Sequence, residues 1–240
     1  MATNKYEIAG LKILMRANFP HMINQGKAYL KEFEDDADLV IDFTDEELKE
    51  KRAALYPNAD DDLMEYMMTS ARFYYRFIGF NGMMLHSSCV VVDGKAYFFS
   101  APSGTGKSTH VSLWLKNLEG RAFILNDDKP ALRLENGEFF AYGTPWSGKT
   151  DKNTNGRYPV GAIAFIERSE QLFIEKMPPF DALKNIYWQT IKPKTEKNVE
   201  RLFPLCEELI KKVPIYRFGA NISKEAFVTS FEEMTGTKFE

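Results

Sequence analysis

The sequence predicts an α/β fold with some α+β character, and three observations carry that expectation. Leu85 to Val92 is a β-rich run, and Asp93-Gly94 signals a hairpin turn into a second strand, Lys95 to Ser100. A loop containing Gly104 and Gly106 follows that strand. Lys107 to Leu118 then reads as a helix with Val111, Leu113, Trp114 and Leu118 apolar.

The other elements follow in chain order. Tyr6 to Arg16 alternates loosely around an Ala9-Gly10 break, as a strand pair does. Phe43 to Ala53 is strongly charged and predicts a loop leading to a solvated helix, and Asn58 to Asp62 is an acidic turn. Asp62 to Phe80 places Leu63, Met67, Ala71, Tyr74 and Ile78 at helical spacing, and Asn81-Gly82 closes that helix with glycine as the cap. Ala122 to Leu125 is a short strand ending at Asn126-Asp127-Asp128, and Ala131 to Tyr142 is a hairpin around Asn136-Gly137. Residues 143–157 are rich in Gly, Pro, Thr and Lys without periodicity, which predicts a loop. Val160 to Glu167 and Leu172 to Lys176 are expected to form a further hairpin. Phe180 to Thr190 and Glu196 to Lys212 look helical, Pro214 to Phe218 is a strand, and Ser223 starts a last helix. One boundary is expected near residue 82, separating an N-terminal α+β segment (1–82) from a nucleotide-binding domain (83–240). No Pro/Ser-rich linker marks it, so the two can pack as one unit.

Composition narrows the function classes. The net charge of −3 supplies no basic field, so neither nucleic acid nor a membrane surface is an expected partner. Two cysteines are too few for a disulfide framework or a cysteine-rich zinc site, and buried reduced thiols are expected. No stretch approaches the roughly 18 apolar residues of a membrane span. Residues 1–6 are polar, without the apolar core of a signal peptide, so the cytoplasm is the expected compartment.

The chemistry centres on Ala101-Pro102-Ser103-Gly104-Thr105-Gly106-Lys107-Ser108-Thr109. Apart from Ala101 in place of the first glycine, this is a phosphate-binding loop in its strand–loop–helix setting. Gly104 and Gly106 let successive backbone N–H groups converge on phosphate oxygens, and the following helix adds its N-terminal dipole. Lys107 brings a point charge to the β- and γ-phosphates, and the Ser108 hydroxyl offers one hard oxygen to Mg²⁺. The Ala101 Cβ is expected to crowd the loop's first turn. ATP with Mg²⁺ is therefore the expected cofactor set, bound by Ser103, Gly104, Thr105, Gly106, Lys107, Ser108 and Thr109.

Asp127-Asp128 ends the next strand, about twenty residues on. Neighbouring side chains of an extended segment point opposite ways, so one carboxylate can face a metal and the other an acceptor hydroxyl. Lys129 and Arg133 are similarly close in sequence to this pair, with nothing to choose between them. His21 and His110 have no partner at metal-ligand spacing and are expected to be structural or surface residues.

His86-Ser87-Ser88, the loop Ser103 to Thr109 and Asn126-Asp127-Asp128 together resemble the catalytic domain of HPr kinase/phosphorylase, in the superfamily that includes ATP-dependent phosphoenolpyruvate carboxykinase. The matching stretch covers roughly residues 83–130. The resemblance implies a mixed β-sheet core with flanking helices. It also implies Asp127 as acid/base toward a substrate hydroxyl, Asp128 at the metal and His86 lining the phosphate site. Thr109 departs from HPr kinase and follows the carboxykinases. The Arg-Gly-rich downstream signature is replaced by Tyr142 to Lys149, similar to a group of small HPr-kinase-like proteins, so HPr itself is a doubtful substrate. The family is often oligomeric, which makes a homo-oligomer a partner to expect.

Residues 143–157 hold Lys149, Lys152 and Arg157, and as a mobile loop they could steady charge on a γ-phosphate or an anionic acceptor. Trp146 could stack on a ligand or anchor the loop in the protein. The expected activity is a phosphotransferase using Asp127, Lys107, His86 and Lys149, with Ser108 and Asp128 toward the metal. The acceptor would be a hydroxyl of a peptide, carrier protein or small molecule, such as a serine. A nucleotide-binding sensor without transfer and a carboxykinase-like lyase are the alternatives.

Overall fold

The structure is a computed structural model that describes residues 3–102 and 104–240, so Ser103 lies outside the described residues. The first hairpin forms as expected: β1 (Thr3–Ile8) and β2 (Leu11–Arg16) pair antiparallel across Ala9 and Gly10, both at positive φ. After α1 (Pro20–Gly26) and a 3-10 turn (Lys27–Tyr29), β3 (Leu39–Ile41) pairs parallel to β2. Next come α2 (Asp45–Leu55), capped by the Thr44 side chain, and α3 (Asp61–Phe77), capped by Asp60.

The buried face of α3 is broader than the expected one: Tyr74 and Ile78 are buried as expected. Tyr66, Thr69, Phe73 and Phe77 are buried, whereas Leu63 is exposed. The helix is covered on several sides, so even Glu65 is buried, where it pairs with Arg16 at 2.9 Å. A short 3-10 turn extends α3 to Phe80, and Asn81, not Gly82, takes the left-handed position. Gly82 is needed for another reason, since a Cβ there would lie 2.2 Å from the Phe77 ring.

The main sheet is built on β4 (Gly82–Met84), β5 (Ser88–Val92), β6 (Lys95–Ser100) and β7 (Ala122–Asn126), with α4 (Lys107–Asn117) between the last two. β8 (Ala131–Glu135) and β9 (Glu138–Tyr142) form the expected hairpin, and β10 (Arg157–Arg168) follows the covering loop. β11 (Phe173–Lys176), α5 (Pro179–Gln189), α6 (Glu196–Lys212), β12 (Ile215–Ala220) and α7 (Lys224–Thr235) complete the chain. The strand order β4-β8-β9-β10-β6-β5-β7 mixes parallel and antiparallel pairs, giving a mixed sheet with helices on both faces.

Period-two alternation explains the layers. In β5, Cys89 and Val91 enter one core cluster while Val90 and Val92 enter another. In β6, Ala96 and Phe98 join the first cluster, and Tyr97 and Phe99 the second. The first cluster is closed by Ile186 of α5 and by Leu202 and Leu209 of α6. The second is closed by Trp114 of α4 and by Phe227 and Phe231 of α7. Both cysteines are buried thiols.

The expected hairpin of β10 with β11 does not form. β12 lies between them, parallel to β10 and antiparallel to β11. A crossover through α5 and α6 supplies this strand, a long-range pairing that local turn signals do not reveal. A third cluster joins Tyr6, Ile13, Phe73 and Phe77 to Ala131, Tyr142 and Trp146, so residues 3–81 pack directly on the sheet and its covering loop. No described helix is long and apolar enough to cross a membrane.

Candidate phosphoryl-transfer site

The phosphate loop leaves the end of β6, which runs between antiparallel β5 and parallel β10. Gly104 and Gly106 take φ of +77° and +113°, which L side chains rarely adopt. Gly106 is the N-terminal boundary residue of α4, and no side chain caps that helix. Its first turn is thereby left available to an anion. Ala101 does not crowd the turn: its methyl is buried with Phe99 and Val111. Its carbonyl accepts the Lys107 ammonium at 2.8 Å. Burial lowers the Lys107 pKa, partly opposed by the charges of Asp128 and Asp127.

Asn126 organises the acidic pair. Its Oδ1 accepts from the backbone N–H groups of Asp128 and Lys129, at 2.9 and 2.7 Å. Its Nδ2 donates to the Thr144 carbonyl at 2.8 Å, tying the pair to the covering loop. The two aspartates face different partners. Asp127 Oδ1 accepts from Ser88 Oγ, whereas Asp128 meets His86 Nε2 at 3.2 Å through Oδ1 and Lys129 Nζ through Oδ2. Burial alone would raise the Asp128 pKa. The His86 hydrogen bond and then Lys129 outweigh it, and the net shift is downward.

His86 sits in the irregular link between β4 and β5 rather than within a strand. Its Nδ1 faces Gln189 Oε1 at 3.1 Å, and its backbone N–H donates to the Gln189 carbonyl at 2.7 Å. Of the two basic residues near the acidic pair, Lys129 reaches it. Arg133 instead donates to the Phe80 and Ala9 carbonyls, at 3.2 and 2.9 Å.

Residues 143–147 are all buried, so the covering loop is not a solvated flap. Trp146 is fully buried against Phe73 and Tyr74 and donates to Thr69 Oγ1 at 3.2 Å, which makes it an anchor rather than a ligand platform. The Arg157 guanidinium pairs with Glu135 at 2.8 Å, and Lys152 is exposed, with its carbonyl accepting from the Asp127 N–H at 3.2 Å. Lys149 is the basic residue of the loop that lines the cavity described next.

A cavity of about 440 Å³ brings the described candidates together: His86, Gly104, Gly106, Lys107, Ser108, Thr109, Asp127, Asp128 and Lys149 all line it. Thr105 lies instead on a second cavity of about 550 Å³, shared with Gly104, Gly106 and Thr109 and bounded beyond the loop by Ile166, Arg168 and Ile222. Arg168 fixes the loop by donating to the Gly104 carbonyl at 2.5 Å. His110 is a structural residue, as expected: it is buried at the edge of the second cavity and its Nε2 lies 2.9 Å from Ser230 Oγ. Sequence reading gave Ser88 no role of its own and missed Gln189, Arg168, Gln25 and Tyr66, which reach the site from distant parts of the chain.

The donor set suits a nucleotide with Mg²⁺. A half-buried ammonium, two left-handed glycines and an uncapped helix start surround one cavity with a hydroxyl and two carboxylates. Among the described residues, no group of three or more His, Cys, Asp or Glu side chains could hold a metal ion.

No protein-family model matches the sequence, and no curated protein matches it significantly. Among solved structures, the chain is similar to the Hpr(Ser) kinase/phosphatase from Coxiella burnetii. The TM-score is 0.36 and the identity 12%, covering 64% of this chain and 99% of that one. A likeness of that extent carries no argument about residues or activity, which rest on the geometry above.

Proposed function

We propose that the chain is an ATP- and Mg²⁺-dependent phosphotransferase acting on a hydroxyl acceptor. The observation that carries this reading is the single cavity shared by Lys107, Ser108, Asp127, Asp128, His86 and Lys149. The larger cavity on the other side of the loop has the room for a nucleoside.

When bound, the nucleotide–metal pair supplies the electrophilic phosphoryl group and neutralises part of its charge. Lys107 and the first turn of α4 hold the phosphate oxygens. Ser108 and Asp128 would hold the cation, and Asp128 Oδ2 is at present bonded by Lys129. Ser88 holds Asp127 through Oδ1, leaving Oδ2 to take the proton of the acceptor hydroxyl. That oxygen would bond to the γ-phosphorus, the bond from phosphorus to the bridging oxygen would break and ADP would leave. Lys149 and His86 stabilise charge on the transferring group.

Titration with ATP·Mg²⁺ and a transfer assay over serine peptides and small alcohols test the reading. Lys107→Ala is expected to lose nucleotide binding. Asp127→Asn is expected to bind within about threefold of wild type and to lose about 10²- to 10⁴-fold in transfer. Unimpaired transfer by Asp127→Asn would remove Asp127 as the base.

A further inference from the structure

We propose that Gln25 and Tyr66, both from the first 81 residues, are positioning residues that hold the Ser147–Lys149 segment in the phosphate cavity. The inference rests on the nucleotide-binding reading and extends it to a part of the chain outside the phosphate loop and acidic pair.

The segment enters a 3-10 turn, Gly148–Thr150, and besides local bonds from Thr150 and Asn153 to Ser147 it is held by these two side chains. Gln25 Oε1 accepts from the Ser147 N–H at 3.2 Å and from its hydroxyl at 3.0 Å, and Gln25 Nε2 donates to the Gly148 carbonyl at 3.2 Å. The Tyr66 hydroxyl accepts from the Gly148 N–H at 2.9 Å. Both side chains are themselves fixed. His21 stacks on the Tyr66 ring with centroids 4.1 Å apart, and Gln25 Nε2 lies 3.0 Å from His21 Nε2. Burial raises the Tyr66 pKa, so its phenol stays neutral and able to accept.

The far side of the segment meets the reacting groups. The space a Gly148 Cβ would fill is only 3.0 Å from the Asp128 Cβ, and Lys149 lines the cavity with Lys107 and Asp127. Buried polar groups are costly unless paired. Gln25, with 6% of its surface exposed, is paired on both amide atoms. Loss of Tyr66 frees the Gly148 N–H and loss of Gln25 frees the Ser147 N–H and the Gly148 carbonyl, and either loosens the turn that carries Lys149 into the phosphate cavity.

The test compares the full-length wild type with Tyr66→Phe and Gln25→Met. It follows hydrogen exchange of the Gly148 amide and the affinities for ATP and ADP with Mg²⁺. Exchange at Gly148 is expected to accelerate at least about tenfold in both variants, and the preference for ATP over ADP to fall about tenfold as one charge-assisted contact is lost. ADP affinity is expected to stay within about threefold, since the phosphate loop is untouched. Unchanged exchange, an unchanged ATP/ADP preference, or a wild type without any such preference would overturn the proposal. If Gln25→Met fails to fold, Tyr66→Phe decides, because it removes one oxygen and keeps the stack on His21. A wild type that binds ATP but transfers to no acceptor would sink the phosphotransferase reading alone, since the affinity ratio remains measurable.

Discussion

Gly148 combines a left-handed backbone, φ +69°, with close contact to Asp128, and an added Cβ would violate both. Gly148→Ala is expected to cost about 1–3 kcal/mol in denaturant unfolding, within the range for strained backbone positions. Another residue sets a pH dependence. Burial lowers the His110 pKa from 6.5 to about 3, so folding holds the ring neutral. The unfolded chain takes up this proton as pH falls below 6.5 and the folded chain does not. Stability from this group is complete above pH 6.5 and is lost progressively toward pH 3. The slope over that window is about 1.4 kcal/mol per pH unit for one proton, and His110→Gln is expected to remove it when unfolding is measured across the range. That Lys107, Ser108, Asp127 and Asp128 would line one cavity was legible in the sequence because they follow one another on a strand–loop–helix and the next strand's end. Their supports were not. Ser88 bonds Asp127 across 39 positions, Tyr66 bonds Gly148 across 82 and Gln25 bonds Ser147 across 122.

Elements with one dominant local signal were readable. The hairpins at Asp93-Gly94 and Asn136-Gly137 formed where their turn residues stand, and α4 begins at Lys107 as its motif requires. Elements whose environment is set by distant chain were misread. β11 pairs with β12 instead of β10, and α3 buries Thr69 and Phe73 because the covering loop packs Trp146 onto it. That loop looked mobile by composition, yet an apolar anchor holds it. Trp146→Ala is expected to destabilise the protein by about 3–5 kcal/mol in thermal or denaturant unfolding. It should also weaken transfer, although Trp146 does not line the phosphate cavity.

Across the whole molecule, three large clusters divide the work. Two sandwich the mixed sheet between α5/α6 and α4/α7, and they present the loop at the end of β6. The third welds the N-terminal residues to β8, β9 and the covering loop, and so connects the start of the chain to the acidic pair. The glycine-rich loop before α4 was visible because it is contiguous. The contribution of the first 81 residues was not, because it exists only as packing. The central claim is that one cavity binds the reacting phosphate beside Asp127. A crystal structure with Mg²⁺ and a non-hydrolysable ATP analogue tests it most directly. The account expects residues 104–109 around the phosphates, the γ-phosphate between Lys107 and Asp127, and the nucleoside toward Arg168. A nucleotide bound elsewhere, or a γ-phosphate turned away from Asp127, would contradict it.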